Sequence, residues 1–280
     1  MSDAQKKLAM TLLPLGYGWH SRLTKTGGAR NALLILFNEW GAIIYSTLIL
    51  RIVAQGNTPT KALILLSGEV LQTALLLLLY FTMLYSIYDI GYIINDKWAI
   101  KNEENPTIRA EIGQINYHAA ILSRTAIYAL GALAATYVLN AATPHSVLTA
   151  TGLLLAGIAF HNLAKKVTHK GVTVINLRLA KYAYTPYLAL QNPWHALPVL
   201  LVTLPELARF TVIWTANKAA KSKGRSYADL LPRHYAYLVF LPLQLFLLYP
   251  QYLLLLGYNA ALAALGLAKQ GLAKIKRRAK

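Results

Sequence analysis

Long apolar stretches separated by short polar loops leave this chain few ways to fold. A run of about 20 apolar residues crosses the hydrocarbon core of a bilayer as a helix, and water-exposed helices do not carry such runs. Eight candidate spans can be drawn, over 32–54, 62–94, 117–141, 146–164, 175–191, 195–216, 234–249 and 251–268. The chain is 56% hydrophobic and only 14% charged, which places it among integral membrane proteins rather than large soluble cores. The expected fold is an all-α, polytopic transmembrane helical bundle. A basic arm over 1–31 precedes the helical domain, 32–268, and a basic tail over 269–280 follows it. The second span is long enough to tilt or to continue past the bilayer, and the fifth is short and polar.

The net charge is +18, a value that by itself suggests nucleic acid, yet the cations flank the spans. The arm, the loops 95–116, 165–178 and 217–233, and the tail together hold 23 of the 28 Lys and Arg residues. With eight crossings all of these segments fall on one face, while the opposite loops hold only Arg51 and Lys61. Positively charged loops stay in the cytoplasm, so both termini are expected inside a bacterial cytoplasmic membrane. The partner implied by the basic arm and tail is a leaflet with anionic headgroups, not nucleic acid. Cysteine is absent, which excludes disulfides and thiolate chemistry. The first apolar run is short, broken by Pro14, and does not read as a signal peptide.

Charge inside the spans marks candidate chemistry. On the second span Tyr85, Tyr88, Asp89, Tyr92 and Asp96 recur three and four apart, so they form one helical stripe. A carboxylate at membrane depth costs about 2.5–3.5 kcal/mol on insertion scales, so Asp89 is expected to face a polar cavity. Arg124, Lys181 and Arg209 also fall in the inner half of the membrane. Arg124 could pair with Glu39, and Glu206 with Arg209. Asp96 and Glu103 are seven apart, a spacing that would align them on a continuous helix as oxygen ligands for a hard cation, with Asn95 adding an amide oxygen and Arg109 reaching a phosphate. Solvated acidic loops often look the same. The histidines lack metal-ligand spacing.

The segment Asn95-Asp96, then Glu103, Glu104, Pro106 and Arg109, resembles the first aspartate-rich motif of the UbiA-type intramembrane prenyltransferases. That motif begins Asn-Asp and adds aspartates three and seven residues later, followed by an Arg-Pro pair. Here Asn95 and Asp96 match, Glu103 replaces the last aspartate, Ala99 replaces the middle one, and Pro106 precedes Arg109. His161-Asn162-Leu163-Ala164-Lys165-Lys166 is similar to the family's basic ending of the fourth span. The loop 215–229, where a second aspartate-rich motif is expected, has the single acid Asp229 and four cations.

The resemblance implies transfer, or internal cyclisation, of a prenyl group from an isoprenoid diphosphate to an acceptor at a cytoplasm-facing cavity. In that reading Mg²⁺ sits on Asp96 and Glu103. Asn95, Arg109, Arg124, Asn162, Lys165, Lys166 and Lys181 contact substrate. Tyr85, Tyr88 and Tyr92 shield an allylic cation, and Asp89 orients or deprotonates the acceptor. The degraded second motif keeps open a non-catalytic member of the same fold that binds anionic lipid or a partner protein. Transport is a third class suggested by intramembrane charge.

Overall fold

Apolar side chains point outward along the length of the helices. Leu122, Leu148 and Leu163 are 72%, 72% and 74% exposed, an arrangement that suits lipid rather than water. The computed structural model describes residues 2–23, 40–51, 68–103, 106, 109–221 and 233–247, together with 256–257, 259–261, 263–265 and 267–268. Among these residues every regular element is helical. Helix α1 is Asp3–Leu12. A turn Gly16–Gly18, continuing as the π-helical Trp19–Leu23, completes the arm. Residues 40–51 form α2. The main bundle is α3 (Gly68–Lys97), α4 (Tyr117–Leu133), α5 (Pro144–Leu163), α6 (Val167–Leu190), α7 (Pro193–Lys221) and α8 (Arg233–Leu247).

Among the described residues four segments are long and apolar enough to cross a membrane: Val70–Lys97, Tyr117–Val138, Pro144–Leu163 and Pro193–Ala216. They correspond to the second, third, fourth and sixth sequence spans. The first and eighth spans, Glu39, Glu104, the 217–233 loop and the 269–280 tail lie wholly or partly outside the described residues. Helix α6 is the polar helix of the bundle, with Lys170, Arg178 and Lys181 along it.

Short connections make α5, α6 and α7 sequential antiparallel neighbours, and α3 packs against α4, α5 and α6. The end of α3, the start of α4, the end of α5, the start of α6 and the end of α7 therefore share one end of the bundle. Helix α5 starts on a capping box, Thr143 with Ser146, and Pro144 fits the first turn because its missing N–H would have had no partner there.

Proline leaves orphaned carbonyls, which a bilayer cannot hydrate. In α7, Pro205 removes the donor to Leu201. Gln244 Nε2, from α8, donates to Leu201 O at 2.8 Å and to Val202 O at 3.3 Å. Asn259 Nδ2 donates to the same Val202 O at 2.8 Å.

Candidate functional site

Asp89 is fully buried, and its hydrogen-bond donors come from two parts of the chain, the arm and α4. Arg124 donates to Oδ2 from Nη2 at 2.7 Å and from Nε at 2.9 Å. The backbone N–H groups of Tyr17 and Gly18 donate to Oδ2 at 3.2 Å and to Oδ1 at 2.8 Å. Arg124 in turn donates to Thr11 O at 2.7 Å, to Met10 O at 2.8 Å and to Ala120 O at 3.0 Å. The pair thus places a negative charge on the amides that start one helical turn and a positive charge on the carbonyls that end α1. Both match the local backbone dipoles. Gly16 is required here, because a Cβ would lie 2.1 Å from Ala9 O. Gly18 is nearly as constrained, with Asp89 Oδ1 at 3.1 Å and the Tyr92 ring at 3.2 Å from a Cβ. Met10 and Tyr17 are buried with Ile93, Ile115 and Ala120 in a small core that seats the arm. On the arm, burial first and Lys6 second lower the pKa of His20.

Asp96 lies one step nearer the bundle end. Its Oδ1 accepts from Arg109 Nη1 at 3.1 Å and from Asn95 Nδ2 at 3.0 Å, and its Oδ2 accepts from the Tyr17 hydroxyl at 2.9 Å. Glu103 pairs with Lys170 of α6, whose Nζ also lies 3.5 Å from Asn95 Oδ1. The 3₁₀ turn Ala99–Asn102 interrupts the helix between Asp96 and Glu103, so the continuous-helix spacing of the sequence reading does not apply.

These carboxylates fit a hard divalent cation poorly. Both oxygens of Asp96 already accept hydrogen bonds, Glu103 holds a lysine ammonium, and Asn95 is turned toward Asp96 and Lys170. Among the described residues no three His, Asp or Glu side chains form a metal-binding group.

Lys165 and Lys166 are exposed in the α5–α6 connection, and Lys166 is the N-cap of α6. It is Lys170, one turn on, that meets the acidic loop. Its place was legible in the spacing of Lys170, Val174, Leu177 and Lys181, the buried face of α6. Lys181 is buried within an aromatic box, with Nζ 5.0 Å from the Trp40 ring, 5.3 Å from Tyr85 and 4.8 Å from Tyr88. Rings at this range stabilise a cation. The Trp40 indole N–H donates to the Tyr85 hydroxyl at 2.7 Å and fixes the box.

A cavity of about 90 Å³ opens between α3, α5, α6 and α7. That is room for several waters or a small polar headgroup. Tyr88, Gly91, Tyr92 and Asn95 form its α3 wall, and Ile158, His161 and Asn162 its α5 wall. Val174, Leu177 and Arg178 come from α6, Phe210 and Trp214 from α7. Arg178 is the charged residue of this wall, and no carboxylate is among the lining residues described. Its Nη1 donates to the Tyr182 hydroxyl at 2.7 Å, and its guanidinium carbon lies 3.2 Å from the Phe210 ring centroid. Asn162 Nδ2 reaches Gly91 O at 3.3 Å. His161 Nδ1 is 3.2 Å from Thr173 Oγ1, and its ring stands edge-on to Trp214.

The structure therefore gathers Tyr88, Tyr92, Asn95 and Asn162 of the sequence-read site around one cavity. It places Asp89 with Arg124, Asp96 with Arg109, and Lys181 beside Tyr85 and Tyr88. Tyr17, Lys170, Arg178, His161 and Trp214 complete these arrangements, and the sequence reading had given none of them a site role. Compared with protein-family models, with curated proteins and with solved structures, the chain matches none.

Proposed function

We propose that this chain is a multi-pass membrane protein that transfers or cyclises a prenyl group taken from an isoprenoid diphosphate, and that the ligand's charged head occupies the cavity between α3, α5, α6 and α7. The observation that carries this reading is the cavity itself. A cationic guanidinium from α6, an amide from α3, and an amide and an imidazole from α5 share a chamber with aromatic and aliphatic side chains, inside a bundle that turns leucines outward. Such a chamber suits an amphiphile with an anionic head. The Asn95-Asp96 element and its likeness to the UbiA-type motif support the isoprenoid diphosphate as that amphiphile.

Arg178 stabilises charge on the departing diphosphate, and Lys170 lies beside Asn95 of the α3 wall. Tyr88 and Tyr92, whose rings meet edge to face at 4.8 Å, shield the allylic cation. Asp89 acts as a positioning group, because Gly18, bound to its carboxylate, packs against Tyr92. No step is assigned to Mg²⁺, since the carboxylates do not suit it. The eight-span topology with both termini in the cytoplasm belongs to the same proposal. The acceptor is a membrane or cytoplasmic nucleophile.

The test is diphosphate release by the purified full chain given prenyl diphosphates of several lengths. Release that Arg178→Met and Tyr92→Ala each reduce at least tenfold is the expected result. A second reading, a non-catalytic protein of this form that retains an anionic lipid, is favoured by one observation: Asp96 and Glu103 are each held by a cation. Lipid that co-purifies without any diphosphate release selects it.

A further inference from the structure

We infer that the second half of α1 and the turn after it are sunk into the hydrocarbon of one leaflet, beside the α3–α4 connection, and that Leu8, Leu12 and Leu13 meet acyl chains there. This rests on the multi-pass reading above and on no reaction.

Depth is the first argument. The α4 span, Tyr117–Val138, has 22 residues, and about 20 fill the hydrocarbon core, so Tyr117 lies near its boundary. Trp98 stands edge-on to the Tyr117 ring at 5.4 Å, and Lys97 Nζ lies 4.6 Å from that ring's centroid. Such aromatic and cationic groups sit at headgroup level. Ser123 and Arg124 are roughly 9–10 Å farther in, at the helical rise of 1.5 Å per residue. They hold the end of α1. The Ser123 hydroxyl donates to Leu12 O at 2.7 Å, and Arg124 donates to Thr11 O and Met10 O. Helix α3 gives a similar depth. Asp89, which accepts from the Tyr17 and Gly18 amides, lies roughly 12 Å before Lys97, where α3 ends.

Backbone hydrogen bonding is the second argument. A helix end in water leaves its last carbonyls to solvent, whereas hydrocarbon offers them nothing. Here Ala9 O accepts from Leu13 N–H, Met10 O and Thr11 O from Arg124, Leu12 O from Ser123, and Leu13 O from Gly16 N–H. Leu15 O accepts from Trp19 N–H. Protein groups serve all of these carbonyls without water.

The third argument is how the outward side chains change along α1. Ser2, Asp3, Gln5 and Lys7 are exposed at its start. Leu8, Leu12 and Leu13 are exposed toward and just past its end, and so is Leu122, the neighbour of Ser123 on α4. A helix lying on a wet surface would turn polar groups outward along its whole length. Lys6 and Lys7 stand just before the leucines, and their long stems keep the ammonium groups among headgroups.

The test places one nitroxide at a time on the full chain, through Leu8→Cys, Leu12→Cys, Leu13→Cys, Leu122→Cys or Lys101→Cys, in vesicles of phosphatidylcholine and phosphatidylglycerol. Collision with oxygen, which enters hydrocarbon, is compared with collision with a water-soluble nickel chelate. The oxygen-to-nickel ratio at 8, 12 and 13 should match that at 122 and exceed that at 101 about tenfold, since a polar chelate is excluded from hydrocarbon. A ratio at 8, 12 and 13 no higher than at 101, while 122 reads as lipid, puts this segment in water and overturns the inference alone. A low ratio at 122 as well removes the multi-pass reading and this inference with it. Weak collision with both reagents at 8 and 12 marks a protein neighbour, a second copy included, in place of acyl chains, and also overturns it. Lipid-like ratios at 8, 12 and 13 in a chain that releases no diphosphate leave it standing without the transferase reading.

Discussion

A buried carboxylate with four donors is a liability the moment one donor goes. Replacing Arg124 with Met leaves Asp89 buried without its counter-ion, and breaking such a pair costs about 3–5 kcal/mol. Arg124→Met and Asp89→Asn should each lower the thermal midpoint of the detergent-solubilised protein and speed hydrogen exchange over residues 2–23. The double variant should recover part of the loss, and strictly additive losses would show that the two side chains act independently. Gly16→Ala should release the arm by backbone clash alone, with α3 and α4 still protected. His20 adds a pH dependence. Its folded pKa lies below the ordinary 6.5, so the undocked arm binds the proton more readily, and docking should weaken as pH falls below that value. A spin label at residue 7 that gains mobility on acidification, except in His20→Asn, checks the sign. The stripe Tyr85 to Asp96 was readable from its period alone. The partners of Asp89 were not, because Arg124 is 35 residues away and the Gly18 amide 71, and no local pattern encodes a pairing at that range.

At the scale of elements, Pro205 within α7 gives a sharp prediction. Gln244→Leu orphans the Leu201 carbonyl and should cost about 1–3 kcal/mol. Pro205→Ala restores the donor within α7, so in that background the same Gln244→Leu change should be close to neutral. A coupling energy near zero in this double-mutant cycle would reject the pairing of glutamine with proline. Helix positions came through the sequence well where spans are apolar: 146–164 was expected and Pro144–Leu163 is found. The polar α6 came through poorly. It was expected over 175–191 and begins at Val167. Its first turns carry Lys170, a charge neutralised by Glu103, 67 residues away. Hydropathy counts that lysine as a loop residue, whereas the folded chain cancels it. Lys165 and Lys166, read as substrate contacts from the likeness at the end of the fourth span, are exposed, while Lys170 and Arg178 had been counted only as charges of the 165–178 loop.

For the whole molecule, the one-sided charge distribution and the sequential reversal of α3 to α7 make a common claim about sidedness. The native chain has no cysteine, so single-cysteine reporters need no background removal. Cysteines at 101 and 165 should react with a membrane-impermeant maleimide from the same side, and those at 140 and 192 only from the other. Labelling of 101 and 165 from opposite faces would dismantle both the bundle order and the shared cavity. The class of fold was legible because lipid demands long apolar helices; the cavity was not, because it depends on how four of them converge. The arm's anchorage also bears on biogenesis. When α3 leaves the ribosome its carboxylate has the arm's amides already synthesised, but Arg124 is still to come. On the multi-pass reading proposed above, Asp89 would enter the bilayer before its guanidinium is made, and α3 and α4 would be released together as a hairpin onto which the amino-terminal segment folds back.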